Sequence, residues 1–252
     1  MVVTLMHAMP AFAQSLLRDT EIEETMQDYT TPILRAAGLS PSSVDIYLVN
    51  DPSLNAFVTR GQNIFLHSGI ITQSTTPNQL KGVIAHEAGH MAGGHGPRRA
   101  EAYAQASRPI LLSLVLAAAA IAAGAPEAGI GLFGLGQQIG TVNALAYTRG
   151  QEASADQAAI SYLNKVGHSG EGLIEFFGKL RNSQIITARR ANPYLQSHPL
   201  ANARVTALTD RVTKSEYSNV KDDEAAIKRL RLIQAKIKGF LQDPIYLSLI
   251  HI

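Results

Sequence analysis

Three histidines and one glutamate lie close together in the stretch Gly82–His95, which reads GVIAHEAGHMAGGH. His86 and His90 are four residues apart, so on an α-helix they differ by about 40° in azimuth and share one face. Imidazole nitrogen is a preferred ligand of Zn²⁺, and Glu87 beside the pair can accept a proton from an attacking water. The motif therefore predicts a hydrolytic metal site. The alternative is two surface histidines on an ordinary helix, which the apolar run just before His86 disfavours.

The third ligand of such a site must come from another part of the chain. If the motif helix continues, His95 lies about 180° from His86, and we expect it to face away, either capping the helix end or supporting the site from behind a ligand. Downstream, the segment QEASAD carries Glu152 and Asp156 on one helical face. Glu152 can be a third ligand, and Asp156 can accept the second N–H of a ligand histidine and fix its tautomer. A solvated acidic face is the alternative, but the small residues between the carboxylates favour close helix packing.

The segments that must position these residues are mainly helical, with a small amount of sheet. A capping box, Thr20 to Glu23, predicts a helix that ends at Gly38. Two strand-like runs separated by a Gly-containing turn predict a β-hairpin. We expect an α+β, mainly helical domain with a small antiparallel sheet. The predicted strands are Asp45–Asn50, Asn55–Thr59 and Asn63–His67, and the predicted later helices are Gln79–Gly93, Gln151–Val166, Glu171–Ile186, Ala201–Val212 and Asp223–Gln242.

A long apolar region separates the two halves of the predicted site. Pro109–Ala123 is Ala-rich and uncharged, and a Gly-rich apolar segment, Gly129–Tyr147, follows a Gly-Ala-Pro break. The first run is shorter than the roughly twenty residues that span a bilayer. We therefore expect a buried or membrane-apposed helical hairpin over residues 109–147, with a transmembrane span as the alternative.

Composition restricts the chemistry further. The chain has 252 residues, of which 46% are hydrophobic and 17% charged, and it contains no cysteine. Disulfides and thiolate metal sites are excluded, so His, Asp and Glu must supply the ligands. The formal net charge of +2, without an aromatic-interleaved basic patch, gives no reason to expect nucleic-acid binding.

The two ends of the sequence carry patterns of their own. Residues 1–13 are mostly apolar and end in Ala11-Phe12-Ala13, the A-x-A form of a signal-peptidase site, so we expect a truncated export signal there. The expected peptidase domain covers residues 14–212. Residues 213–244 are expected to begin a helical extension that is cut short, and residues 245–252 to be a non-native tail.

Taken together, the motifs resemble a known family. HEAGH, then EASAD, then Ser197-His198-Pro199 with Arg204, is similar to the zincin-like gluzincin peptidases of metallopeptidase family forty-eight, which includes HtpX-type and CAAX prenyl peptidases. The resemblance covers roughly Leu16 to Val212 and is strongest to the exported BepA-like branch of periplasmic assembly peptidases. Members of that branch carry tetratricopeptide repeats after the peptidase domain, which is what the resemblance implies for the extension.

The resemblance implies a role for each motif residue. The ligands of one Zn²⁺ per chain correspond to His86, His90 and Glu152, with Glu87 as catalytic base. Asp156 then supports a ligand histidine.

Residues outside the helix motifs also receive roles. Asn55, Ala56 and Phe57 match an edge strand along which substrate peptide lies. His198 either fills the fourth position on zinc and shuts the enzyme or stabilises the oxyanion of the transition state. Alternatively, it merely caps the helix before Pro199. Arg204 anchors its helix or orients a carboxylate near the site.

The resemblance also implies a biological setting. It predicts a zinc endopeptidase in the periplasm of a Gram-negative bacterium, acting on misfolded or unassembled envelope proteins. The expected partners are such substrates, the outer-membrane assembly machinery, and a membrane surface contacted through residues 109–147. Two alternatives remain: a chaperone-like scaffold whose zinc site is self-inhibited, and a membrane-integral stress peptidase of the HtpX type.

Overall fold

The computed structural model describes residues 15–59, 61–186 and 193–241. The predicted export signal (1–13) and tail (245–252) lie outside these ranges. Described strands are β1 (Leu16–Leu17), β2 (Asp45–Val49), β3 (Ala56–Thr59) and β4 (Asn63–His67). Described helices are α1 (Thr20–Ala36), α2 (Ser68–Gln73), α3 (Pro77–Ala92), α4 (His95–Ala122), α5 (Pro126–Lys165), α6 (Glu171–Ile186), α7 (Pro193–Ser197), α8 (Asn202–Thr213) and α9 (Glu224–Leu241). The mainly helical α+β prediction is confirmed.

The N-cap of helix α1 lies one residue earlier than predicted. Asp19, not Thr20, occupies this position, and its carboxylate accepts a hydrogen bond from the Ile22 N–H at 3.1 Å. The Glu23 carboxylate accepts a hydrogen bond from the Asp19 N–H at 3.3 Å, so the reciprocal arrangement of a capping box survives with the cap shifted by one position. The apolar residues on one face of α1, Ile22, Met26, Tyr29 and Ile33, are buried.

The described strands form a mixed sheet in the order β1-β2-β4-β3, which corrects the expectation of an antiparallel one. β3 and β4 form the predicted antiparallel hairpin, with Phe57 opposite Phe65. However, β4 lies between β2 and β3 and runs parallel to β2, with Leu48 opposite Leu66. The connection from β2 to β4 contains β3, which gives it the length a parallel pairing needs. β3 is left at the edge of the sheet.

Helix α3 is the centre of the domain and is buried along almost its whole length. It packs against α1, α5 and α6. Two glycines allow α5 and α6 to approach α3 closely. A Cβ on Gly82 would lie 2.9 Å from Leu173 of α6, and one on Gly89 would lie 2.9 Å from the Ala155 carbonyl oxygen of α5. The backbones of α3 and α5 therefore meet at Gly89, next to the predicted ligands.

Helices α4 and α5 form a long hairpin that projects from this core. The sequence pattern predicted a Gly-rich segment followed by a separate helix from Gln151, but α5 is one helix of 40 residues. Most large apolar side chains on the outer part of the hairpin are exposed. Among the described helices, α4 is long and apolar enough to cross a membrane by length and composition.

Helix α9 packs back on the domain rather than standing apart. Its buried residues Leu230, Ile233 and Ile237 join the core, and the Gln234 side-chain amide donates to the carbonyls of Ile71 and Ser74. Its membership of a C-terminal helical repeat stays a prediction.

Candidate metal centre

Four buried side chains from three parts of the chain meet beside α3. His86 and His90 project from α3, Glu152 from α5, and His198 from the residue after α7. One nitrogen or carboxylate oxygen from each lies within 4.8 Å of all the others. The structure thus brings the predicted ligands together, and it adds His198 to the same point.

The distances within this group suit a single small cation. His86 Nε2 and His90 Nε2 are 3.1 Å apart, and the two Glu152 oxygens lie 3.4 and 3.3 Å from them respectively. His198 Nδ1 is 3.2 Å from both Glu152 oxygens. Two imidazoles and a carboxylate are the donor set of a catalytic zinc site, which keeps another position open. The residues present therefore fit Zn²⁺.

Glu87 is placed next to the ligands without belonging to them. Its carboxylate is fully buried, and neither oxygen has a hydrogen-bond partner among the described residues. The nearest cationic candidate is His198 Nε2, 3.5 Å from Glu87 Oε1. Burial raises the pKa of the Glu87 carboxyl. A buried carboxylate that makes no hydrogen bond is costly unless a proton, water or substrate completes it, so this group is suited to accept a proton from a water in the site.

An ion-pair network joins the predicted ligand Glu152 to Asp156 through Arg204. Arg204 Nε and Nη2 donate to the two Asp156 oxygens at 2.8 and 2.9 Å, and its Nη1 lies 2.9 Å from Glu152 Oε2. Asp156 Oδ1 is in turn 3.0 Å from His86 Nδ1, although the pair is not aligned as a regular hydrogen bond. Asp156 and Arg204 therefore both contact the predicted ligands, and their supporting role stays a prediction.

The surrounding histidines keep Glu152 ionised. Burial alone would raise its pKa, but hydrogen bonds from His198, His86 and His90 lower it well below its usual range. An ionised carboxylate is the form that binds a cation.

His95 does not face away from the site, so that part of the expectation is wrong; the ring lies against His90, as the alternative of a supporting residue requires. The helix breaks at Gly94, whose φ of 62° turns the chain so that α4 starts at His95 and its ring returns to the site. His95 Nδ1 lies 2.9 Å from His90 Nδ1, and the ring is buried. The 180° placement of His95 assumes an unbroken helix. The Gly93-Gly94 pair in the sequence indicates a break at this point.

Tyr194 is a second site residue that the sequence motifs did not reveal. Its buried ring stacks on the His198 ring at a centroid distance of 4.5 Å. The main-chain N–H of His198 donates to the Tyr194 carbonyl at 2.7 Å. This bond closes the short α7 turn, and together with the stacked ring it fixes the direction of the imidazole. No spacing rule in the sequence connects these two residues to the α3 motif.

The predicted substrate strand borders the site. A cleft of about 70 Å³ lies between β3 and the ligands, lined by Phe57, Val58, Glu87 and His198 among others. The side chains of Asn55 and Ala56 are buried, whereas Phe57 is partly exposed and stacks on Phe65. Since β3 is the edge strand, what it can offer a peptide beside the ligands is its main chain.

An HExxH helix, a glutamate from a neighbouring helix at the same point and a buried carboxylate beside them are the arrangement of a gluzincin-type metallopeptidase domain. Comparison with known sequences gives the same class and the particular family. The sequence profile of Peptidase family M48 matches residues 16–212, and the chain belongs to that family.

The curated relatives agree with this assignment. The chain is 27% identical over 198 residues to the putative beta-barrel assembly-enhancing protease of Vibrio cholerae, covering 79% of this chain and 40% of that protein. It is 30% identical over 171 residues to the beta-barrel assembly-enhancing protease of Yersinia pestis, covering 67% and 34% respectively. The metalloprotease YcaL of Escherichia coli is 26% identical over 177 residues, covering 70% and 65%. The chain thus spans two fifths or less of the two assembly-enhancing proteases.

Proposed function

We propose that this chain is the peptidase domain of a zinc-dependent endopeptidase that hydrolyses misfolded or unassembled envelope proteins. The observation that carries the proposal is the meeting of His86, His90 and Glu152 at one point, with the buried Glu87 beside them, whose oxygens make no hydrogen bond to any described residue. The location we propose is the periplasm of a Gram-negative bacterium, at a membrane surface. The similarity to proteases named for beta-barrel assembly supports outer-membrane assembly machinery as a partner.

In the proposed mechanism His86, His90 and Glu152 hold one Zn²⁺. When bound, the ion supplies Lewis-acid chemistry, polarising a scissile carbonyl and lowering the pKa of water. The main chain of β3 aligns the substrate as an added strand. Glu87 then takes the proton of the attacking water on a carboxylate oxygen and passes it to the leaving amine.

Glu87→Gln tests the base without changing the shape of the site. We expect casein cleavage to fall by at least about a hundredfold, within the range for general acid–base groups. Zinc content and the midpoint of thermal unfolding should stay close to those of the wild type. Retained cleavage in this variant would refute the assignment of Glu87.

Glu152→Ala tests the third ligand. We expect the purified variant to lose most of its zinc, measured by elemental analysis. Glu216→Ala removes an exposed carboxylate far from the ligands in sequence and serves as the matched control, with full zinc content expected. Full zinc content in Glu152→Ala would contradict the ligand set.

A second candidate function is a chaperone-like scaffold whose zinc site is self-inhibited. It is favoured by His198, whose Nδ1 lies 3.4 Å from His86 Nε2 and 3.2 Å from the Glu152 carboxylate, where it competes for the open position. His198→Ala separates the two interpretations. Increased casein cleavage indicates that His198 shuts the site, whereas reduced cleavage with unchanged zinc content indicates that it assists the reaction.

A further inference from the structure

The outer part of the α4–α5 hairpin exposes apolar side chains on every side. Leu112 is 62% exposed, Val115 66% and Ile130 71%. From residue 109 to residue 148 the sequence contains a single charged residue, Glu127. A helix with no polar face is stable only when it is surrounded by apolar material. This surface therefore needs a covering that the described residues do not supply.

The serine and threonine hydroxyls of the hairpin are already satisfied within it. The hydroxyl of Ser113 donates to the Ile110 carbonyl, and that of Thr141 donates to the Gln137 carbonyl, each at 2.8 Å. The two arms pack closely through glycines: a Cβ on Gly136 would lie 1.9 Å from the Ser113 hydroxyl oxygen. Closed helical backbone, internally bonded hydroxyls and small residues between the arms are the features required in a hydrocarbon environment.

On the α4 arm, charge resumes abruptly below this apolar part, whereas after Glu127 the α5 arm stays uncharged as far as Thr148. Arg108 directly precedes Pro109, and the remaining charges of the hairpin lie still closer to the catalytic domain, apart from Glu127 at the first turn of α5. From Pro109 to Ala122 the arm is about 20 Å long at 1.5 Å per residue. That length enters a hydrocarbon core of about 30 Å without crossing it. The helix N-terminus favours the carboxylate of Glu127 through its free N–H groups.

We propose that the α4–α5 hairpin inserts end-on into a lipid bilayer from one side, with Arg108 at the headgroups. A protein partner or a second copy of the chain would cover only one face of the hairpin. The exposed apolar side chains lie all around it, and lipid can cover all of them at once. The Arg108 guanidinium directly beneath the apolar end of α4 suits anionic headgroups. The proposal deepens the membrane location proposed above, and its test does not depend on peptidase activity.

Vesicle flotation tests the insertion. The zinc-loaded chain is mixed with vesicles of phosphatidylcholine and phosphatidylglycerol and compared with the variant Leu112→Asp/Val115→Asp. We expect the variant to lose vesicle binding by at least about tenfold, because carboxylates are costly in hydrocarbon. The matched control is Leu232→Asp/Phe240→Asp on α9, where the two side chains are 52% and 70% exposed. This control should float like the wild type, and casein cleavage in solution should be unchanged in both variants.

A second measurement does not depend on charged variants. The chain contains no tryptophan, so a single substitution provides a unique fluorophore. We expect bromine-labelled lipids to quench Leu116→Trp strongly and Phe240→Trp weakly. The proposal is overturned if the wild type does not float or if both tryptophans are quenched equally. It is also overturned if light scattering shows that the wild type is a dimer and that Leu112→Asp/Val115→Asp is a monomer that still binds vesicles.

Discussion

Arg204 joins the two carboxylates that support the metal centre, and its removal should be among the most damaging single changes in the domain. The buried guanidinium makes contacts of 2.7 to 2.9 Å with Asp156, Glu152 and the Pro199 carbonyl. It also lies over the Phe177 ring at 5.3 Å. No other described guanidinium or ammonium group makes an ion pair with these two carboxylates.

The size of the effect follows from burial. Removing one partner of a buried ion pair costs about 3–5 kcal/mol, because the other charge is left without compensation. His86 still contacts Asp156, so we expect the lower end, about 3 kcal/mol, for Arg204→Met. For a domain of this size that corresponds to a decrease of about 6–12 °C in the midpoint of thermal unfolding.

The assay is urea unfolding followed by circular dichroism, with and without zinc. Arg211→Met on the same helix removes an exposed guanidinium and should change the free energy of unfolding by no more than about 0.5 kcal/mol. A cycle with Asp156→Asn should give a coupling energy of about 1–3 kcal/mol. If Arg204→Met behaved like Arg211→Met, the argument that this network holds the carboxylates would be wrong.

Three further predictions concern the positioning of the ligands and the stability of the domain. Gly89→Ala should reduce the free energy of unfolding and the zinc content, because its Cβ would press on α5 at 2.9 Å. The control Gly178→Ala has open space around it and should change neither. Urea unfolding measures the stability of each variant, and elemental analysis measures its zinc content. His95→Phe should weaken zinc binding by about 10–100-fold in chelator competition, since the ring loses its contact with a ligand histidine; an unchanged affinity would remove His95 from the site. Asp222→Ala should destabilise the fold by about 3 kcal/mol in urea unfolding, because it leaves the buried Lys81 ammonium without its carboxylate partner, and a loss below about 1 kcal/mol would contradict this value.

The parts of the site that the sequence predicted are those governed by helical periodicity. The i, i+4 spacing placed His86 with His90 and Glu152 with Asp156, and the structure keeps both pairs on single helices. Resemblance to a family was needed for His198, because no local pattern relates it to α3.

The errors have one cause in common, which is that a local pattern does not determine where the chain turns. A left-handed residue, Gly94, reversed the position of His95. The parallel pairing of β2 with β4 depends on a connection that carries β3 to the outside of the sheet. Similarly, several glycines in α5 predicted an interruption, but close packing against α4 keeps that helix continuous.

The continuity of α5 determines how high the peptidase would stand above a membrane. One rigid helix carries the apolar end of the hairpin and, further along, Glu152. From Gln138, level with the end of the apolar part, to Glu152 the rise is about 20 Å. With the hairpin inserted, a substrate anchored in the same bilayer needs about six extended residues, at roughly 3.3 Å each, to reach the ligands. Such an enzyme would choose its cleavage sites by their distance from the lipid surface as well as by their side chains.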